Sequence, residues 1–271
     1  MTDTFQARVA RDLVVVDGPD ATSFLQSLLS QDLDGVEVGS SVHALLLQPQ
    51  GKLLVDVYTH RRADNTWWLV CEGGFGATLH EGLARFKIRV KAEIEAVPVD
   101  ALAVRGARPR LEDGALACVT VDWGGAEACD IVGPAKAMRA LALDLPMLDD
   151  AGYERARIEA GVPRQGFDVD ERTIPQEAGL ELHAVSFTKG CFVGQELVCR
   201  IDTRGHVNRL LRRLRADAPV SLGDAVTLDG KSVGEVTSSA GEVALAMLRH
   251  EVEPGSRVDV GPTSAAVEPA F

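Results

Sequence analysis

No stretch of this 271-residue sequence approaches the roughly 18 consecutive apolar residues from which a membrane-spanning helix is built. The start, Met1 to Arg8, also lacks the basic head and apolar run of an export signal, so the reading expects a cytoplasmic protein with no membrane partner. Cysteine is scarce. There are five (71, 118, 129, 191 and 199), an odd number with no Cys-x-x-Cys pair. That argues against a disulfide framework, a structural zinc site, or an iron–sulfur cluster held by this chain's own thiolates. The six histidines (43, 60, 80, 183, 206 and 250) have no metal-ligand spacing, so no metal site is expected, and His183 alone is of interest. Basic excess is missing too: 28 Lys and Arg stand against 40 Asp and Glu, a net charge of −12. Direct nucleic-acid binding, which draws on phosphate neutralisation, is therefore not expected. Arg200, Arg204, His206, Arg209, Arg212, Arg213 and Arg215 form a local exception, read as a solvated hinge and strand edge. A pocket for an acidic tail or an acidic partner face is the alternative.

What is present is enough apolar residue, 46%, for a substantial core and two or three domains. The expected division is 1–100, 101–205 and 206–271. Residues 8–17 read as a strand pair or as one strand entering the core. Asp20 then caps a helix with Phe24, Leu25, Leu28 and Leu29 on one face, ending near residues 32–35. Strands are expected at 42–47, 52–59 and 67–71, and a helix to about Arg85. From Phe86 to Glu95 apolar and charged residues alternate, the period of a strand with one face on a core. Three short strands between 102 and 131 precede a helix from Pro134 to about Leu143. A further helix at 152–161 closes on Gly161. Beyond Gly205, five or six short strands alternate with Gly- and Asp-containing turns, the pattern of a small β-barrel. The fold class is mixed α+β followed by that barrel.

The least ordinary stretch is Lys189-Gly-Cys-Phe-Val-Gly-Gln-Glu196, with a short helix after it. A thiol beside a lysine, between two glycines and before a helix, is the setting in which a thiolate is favoured. This octet resembles the Lys-Gly-Cys-Phe/Tyr-x-Gly-Gln-Glu signature of the YgfZ-type proteins, relatives of the folate-binding T-protein of glycine cleavage. Three further stretches resemble the same family: Gly18-Pro-Asp-Ala with its helix, Arg157-Ile-Glu-Ala-Gly161, and Gly234-Glu-Val-Thr-Ser-Ser239.

The resemblance implies a T-protein-like α+β folate-binding portion, a C-terminal barrel, and tetrahydrofolate or a one-carbon derivative as cofactor. Glu159 would hold the pterin, where a carboxylate can take two N–H bonds from an aminopyrimidine edge. Asp56 aligns with the second aspartate of the family's Gly-Gly-x-x-Asp-Asp run and would face the one-carbon end. Here Lys52 replaces the second glycine and Val55 the first aspartate. By strand pattern alone Asp56 is an outward-facing position. Cys191, with Lys189, would meet a partner, a cluster or a reactive species. Gln176 and Glu177 are of a type that lines pockets. The function implied is an accessory role toward iron–sulfur enzymes, tRNA-modifying ones included. The rivals are a folate-dependent aminomethyltransferase and a scaffold independent of folate.

Overall fold

The computed structural model describes residues 4–270; residues 1–3 of the N-terminal stretch read above and the side chain of Arg204 lie outside that description. The strands form two five-stranded sheets and a closed six-stranded barrel.

The strands β1 (Phe5–Val9) and β2 (Arg11–Asp17) follow one another with only Ala10 between them, yet they enter different sheets. β2 joins β3 (Ser41–Leu47), β4 (Leu53–Ala63), β5 (Thr66–Glu72) and β6 (Glu93–Val97) in the order β3-β4-β5-β2-β6. Its unbroken apolar run, Leu13–Val16, follows from burial on both faces. Val14 and Val16 pack beneath α1 (Ala21–Leu28) and α2 (Gly76–Ala84), while Leu13 and Val15 meet the other sheet.

Two local expectations need correction. The alternation from Phe86 yields a strand only at Glu93–Val97. Residues 86–92 loop instead, with Arg89 at φ 59 and Phe86 and Ile88 exposed. This loop is pinned to the turn before α1, where Lys91 N donates to the Asp20 carboxylate at 2.8 Å and Asp20 N donates to the Lys91 carbonyl. Asp20 therefore ties two loops together and does not cap α1 with its side chain.

The second sheet, in the order β10-β1-β7-β9-β8, adds β7 (Asp100–Arg105), β8 (Ala117–Thr120), β9 (Ala128–Gly133) and β10 (Met147–Leu148) to β1. One face packs on the first sheet, and α3 (Ala135–Ala140) covers part of the other. α4 (Asp150–Glu159) begins on Asp149, whose carboxylate accepts from Gly152 N. α5 (Glu181–Ala184) precedes the octet, and α6 (Gln195–Arg204) starts on its last two residues.

The barrel runs through β11 (Arg209–Ala216), β12 (Ala225–Leu228), β13 (Lys231–Ala240), β14 (Val243–Arg249), β15 (Arg257–Val260) and β16 (Thr263–Pro269). β14 explains how it docks. Ala244, Ala246 and Leu248 fill the barrel, whereas Val243, Leu245 and Met247 share a core with Leu45 and Leu47 of β3 and Ile158 of α4. Four of the basic residues noted in the sequence are engaged within the fold. Arg209 pairs with Glu177, Arg213 and Arg215 pair with Glu268, and the Arg212 guanidinium reaches the Val252 carbonyl.

Gly161 makes the junction of α4 and barrel possible. It sits at φ +73, and a Cβ there would land on the Ala270 carbonyl. Gly161→Ala is expected to lose at least about 1–2 kcal/mol from the left-handed backbone alone. A urea titration should show a lower midpoint with an unchanged slope.

Candidate functional site

Residues directly opposed in an antiparallel pair share a face. His43 is opposed to Tyr58 and Leu45 to Asp56, so these four turn away from the helices, toward which Val55 and Val57 point. Asp56 consequently faces the middle of the molecule. Its Oδ1 lies 2.5 Å from His43 Nε2, and His43 Nδ1 lies 2.5 Å from Oδ2 of Asp122, in the loop between β8 and β9. The imidazole is stacked on the Tyr58 ring at 4.2 Å between centroids.

Burial alone would push the His43 pKa down. The two carboxylates more than reverse this and raise it to about 9. Burial pushes the Asp122 carboxyl up, but its hydrogen bond to His43 and that ring's charge outweigh burial and hold it below the usual range. Tyr58 is pushed well above its ordinary value by burial and then by Asp56, so it stays a phenol. Gln165 fixes the strand from the other side: its Oε1 accepts from Asp56 N at 2.9 Å, and its Nε2 donates to the Leu54 carbonyl at 2.8 Å.

Two cavities, of about 570 and 680 Å³, meet at this point, and Asp56, Tyr58, Asp122 and Trp123 line both. Those volumes suit small organic ligands. Charged groups of both signs surround the first, Arg11, Arg105 and Arg157 with Glu72 and Glu154 among them. The second is bounded by the Gly124-Gly125 turn, the 178–180 segment, His183 and Arg213.

One wall of the first cavity is fastened to the barrel. Arg157 donates to Asp168 at 2.8 Å, to Ser238 Oγ at 2.8 Å and to Glu154 at 2.6 Å, and Thr237 Oγ1 donates to Asp168 at 2.6 Å. The Val-Thr-Ser stretch of β13, conspicuous in the sequence, thus serves as the barrel's polar attachment.

Of the residues singled out from sequence, Asp56 lines both cavities and His183 the second. Glu159 lines neither. Its half-exposed carboxylate pairs with Arg155 at 3.1 Å, and the charged residues of α4 that line the first cavity are Asp150, Glu154 and Arg157. Gln176 and Glu177 are buried in structural roles: Gln176 donates to the Val198 carbonyl, and Glu177 holds Arg209 and the Ile174 amide.

The octet is mostly an anchor. Phe192 enters the core shared by β3 and the barrel, and Gln195 Oε1 accepts from Phe192 N at 3.1 Å. Gly194, at φ +80, presses against the turn between β3 and β4, where a Cβ would lie 2.4 Å from the Gln48 carbonyl and 3.1 Å from Gly51 Cα. Lys189 Nζ donates to the carbonyls of Gln26, Leu29 and Gln31 at 2.7, 2.8 and 2.9 Å, filling all three N–H bonds at the end of α1. Burial lowers its pKa to about 8 against the pull of Asp32 and Asp34. Cys191 stands exposed at the crest of this loop and lines neither cavity.

Sequence reasoning missed His43, Tyr58, Asp122, Trp123 and Gln165. The alternation Val42-His43-Ala44-Leu45 carries the signal for His43, because it places that ring on the face of Asp56 once the register through the 48–51 turn is known.

As a fold, this is the architecture of the glycine-cleavage aminomethyltransferases. The crystal structure of glycine cleavage system aminomethyltransferase T from Bartonella henselae matches with a TM-score of 0.86 over 100% of this chain and 87% of that one, at 22% identity. Residues 12–111 match the family described as the GCVT N-terminal domain, and residues 209–269 the CAF17 C-terminal beta-barrel domain. The chain therefore joins an aminomethyltransferase-type N-terminal domain to a CAF17-type barrel. Among similar proteins, the iron-sulfur cluster assembly factor IBA57, mitochondrial, of Mus musculus is 29% identical over 90% of this chain and 77% of its own length. An aminomethyltransferase of Staphylococcus saprophyticus is 24% identical over 83% of this chain and 71% of its own.

Replacing Lys189 by Met leaves three carbonyls without a charged donor. Lys189→Met is expected to cost about 1.5–3 kcal/mol, less whatever water restores at this half-buried position. Thermal unfolding, with amide exchange at residues 26–31, would register it.

Proposed function

We propose that this protein is a tetrahydrofolate-binding accessory factor of the YgfZ type, acting in the cytoplasm to support assembly or repair of iron–sulfur enzymes, tRNA-modifying ones among them. One observation carries the reading: relatives matching nine-tenths of the chain are iron-sulfur cluster assembly factors. The placement of Cys191 supports it. A thiol on an anchored surface loop, outside both cavities, is positioned for a macromolecular partner and not for a ligand held inside.

The residues present suit a reduced folate. The cavities have the volume, Tyr58 and Trp123 contribute to the lining of both, and Asp56 offers a carboxylate to an N–H-bearing ring edge. When bound, the folate would supply one-carbon carrying capacity. Asp56 would orient it, and Glu159 is the pterin partner that the family resemblance assigns. Glu154 and Asp150 are the carboxylates of α4 that line the first cavity.

Calorimetric titration with tetrahydrofolate tests the ligand. Asp56→Ala should weaken binding about 10- to 100-fold, the loss of a charged hydrogen-bonding partner worth about 1.5–3 kcal/mol. Running Glu159→Ala beside Glu154→Ala and Asp150→Ala identifies which carboxylate of α4 meets the pterin. No affinity in the wild type would leave the scaffold reading in front. Complementation tests the role: Cys191→Ser should fold, bind folate and fail to restore iron–sulfur enzyme activity in a deletion strain, and full rescue would remove the thiol from the mechanism. Turnover of an aminomethylated carrier protein with tetrahydrofolate would instead favour an aminomethyltransferase.

A further inference from the structure

Both ring nitrogens of His43 face carboxylate oxygens at 2.5 Å. A neutral imidazole has one N–H, so it would set a lone pair against one of the two oxygens. Only the imidazolium donates to both. The two partners come from different sheets, Asp56 from β4 and Asp122 from the loop joining β8 to β9, and together they form part of the wall common to the two cavities. Asp56 Oδ1 is taken by the ring, and Oδ2 receives no hydrogen bond from any described side chain or backbone group. The strand beneath is locked by the amide of Gln165, and the ring itself by the face of Tyr58.

We infer that His43 is the positioning residue of this site: it fixes Asp56 with one oxygen occupied and the other open to the cavities, so that Asp56 accepts from a ligand N–H or O–H donor. The same ring holds Asp122 and keeps the wall between the cavities closed. This deepens the folate reading given above and rests on it only for the choice of probe.

The charged groups facing the ring support the inference. Asp56 and Asp122 flank it, Tyr58 lies beneath as a phenol, and His183 of α5 acts on Asp122 from beyond. With a folded pKa of about 9 against an ordinary 6.5, the contribution of the clamp is complete below pH 6.5 and is lost as pH rises through about 9. At high pH the half-exposed Asp122 is the partner free to turn to solvent.

The test begins without any ligand. In protein labelled with 15N-histidine, the resonances that vanish in His43→Gln are expected to show both nitrogens protonated at pH 7.5. Their midpoint should fall by about one to three units in Asp56→Asn and in the milder Asp122→Asn, which changes a half-exposed side chain. A neutral His43 at pH 7.5, or a midpoint indifferent to Asp56→Asn, overturns the inference whatever folate does. With 5-formyltetrahydrofolate as probe, affinity should decline between pH 7 and 9.5 in the wild type. His43→Gln, Asp56→Asn and the double variant should lose similar amounts, about tenfold or more, because the pair acts as a unit. Additive losses overturn positioning. An absence of binding in every form counts against the folate reading, and the imidazole resonances then decide the role of His43.

Discussion

A buried carboxylate gives the apolar junction of the two sheets its charged tie. Asp130 on β9 is completely out of water, with Arg11 of β2 at 2.7 Å and Arg105 of β7 at 2.9 Å. The guanidinium of Arg105 is itself layered over Trp123 at 4.3 Å, and Arg11 reaches on to Glu72 of β5. A lone carboxylate at that depth would not stay charged. Two guanidiniums keep the Asp130 carboxyl below its usual range despite a burial that works in the opposite direction. Taking away Asp130 costs on the order of 3–5 kcal/mol, since Arg105 is then left buried and charged without its carboxylate. Arg11, Arg105 and Glu72 line the first cavity, so the junction of the sheets and the floor of that cavity are built from the same atoms.

Around this junction the molecule separates two kinds of chemistry. The groups that line the cavities are gathered inward, where the His43 ring stands between Asp56 and Asp122 and against Tyr58. The thiol is carried outward on a loop whose remaining side chains are committed to anchoring: Phe192 in the core, Gln195 on the loop backbone, Lys189 on the end of α1. The two regions are mechanically joined, because Gly194 of the loop rests on the turn that connects His43's strand to Asp56's strand. A side chain on either Gly194 or Gly51 would force these backbones apart.

The octet and the barrel were legible because their signals are local. Turn residues recur at short intervals through the barrel, and the octet specifies a loop within eight positions. Asp56 was legible as a residue but not as a direction, since strand alternation alone gave it an outward place and only the pairing of His43 with Tyr58 turns it inward. His43 and Asp122 were out of reach: they lie 79 positions apart and meet only after both sheets are assembled. The misread strand at 86–92 shows the opposite failure. Of the alternating apolar residues there, Phe86 and Ile88 are exposed, Val90 is half-buried and only Ala92 reaches the core, in a loop held by Asp20, so period alone did not imply pairing. Glu159, assigned by resemblance, pairs with Arg155 at the end of α4 and lies outside the lining of both cavities, a placement that no sequence pattern on the helix announced.

The switch of sheets at Ala10 has a consequence for how the chain comes off the ribosome. β1 precedes both of its partners by a long stretch of chain: its antiparallel neighbour β7 spans residues 100–105 and its parallel neighbour β10 residues 147–148. At translation rates of about 5–20 residues per second, β1 waits on the order of 5–20 s for the first of these partners. During that interval β2 can already pair with β5, leaving a short strand with apolar Phe5, Ala7 and Val9 tethered to a half-built sheet and open on both edges. Chains of this architecture are thus exposed to mispairing at β1 during synthesis, and Gln6 and Arg8, which interrupt the apolar residues of β1, limit how readily that strand can associate with another copy.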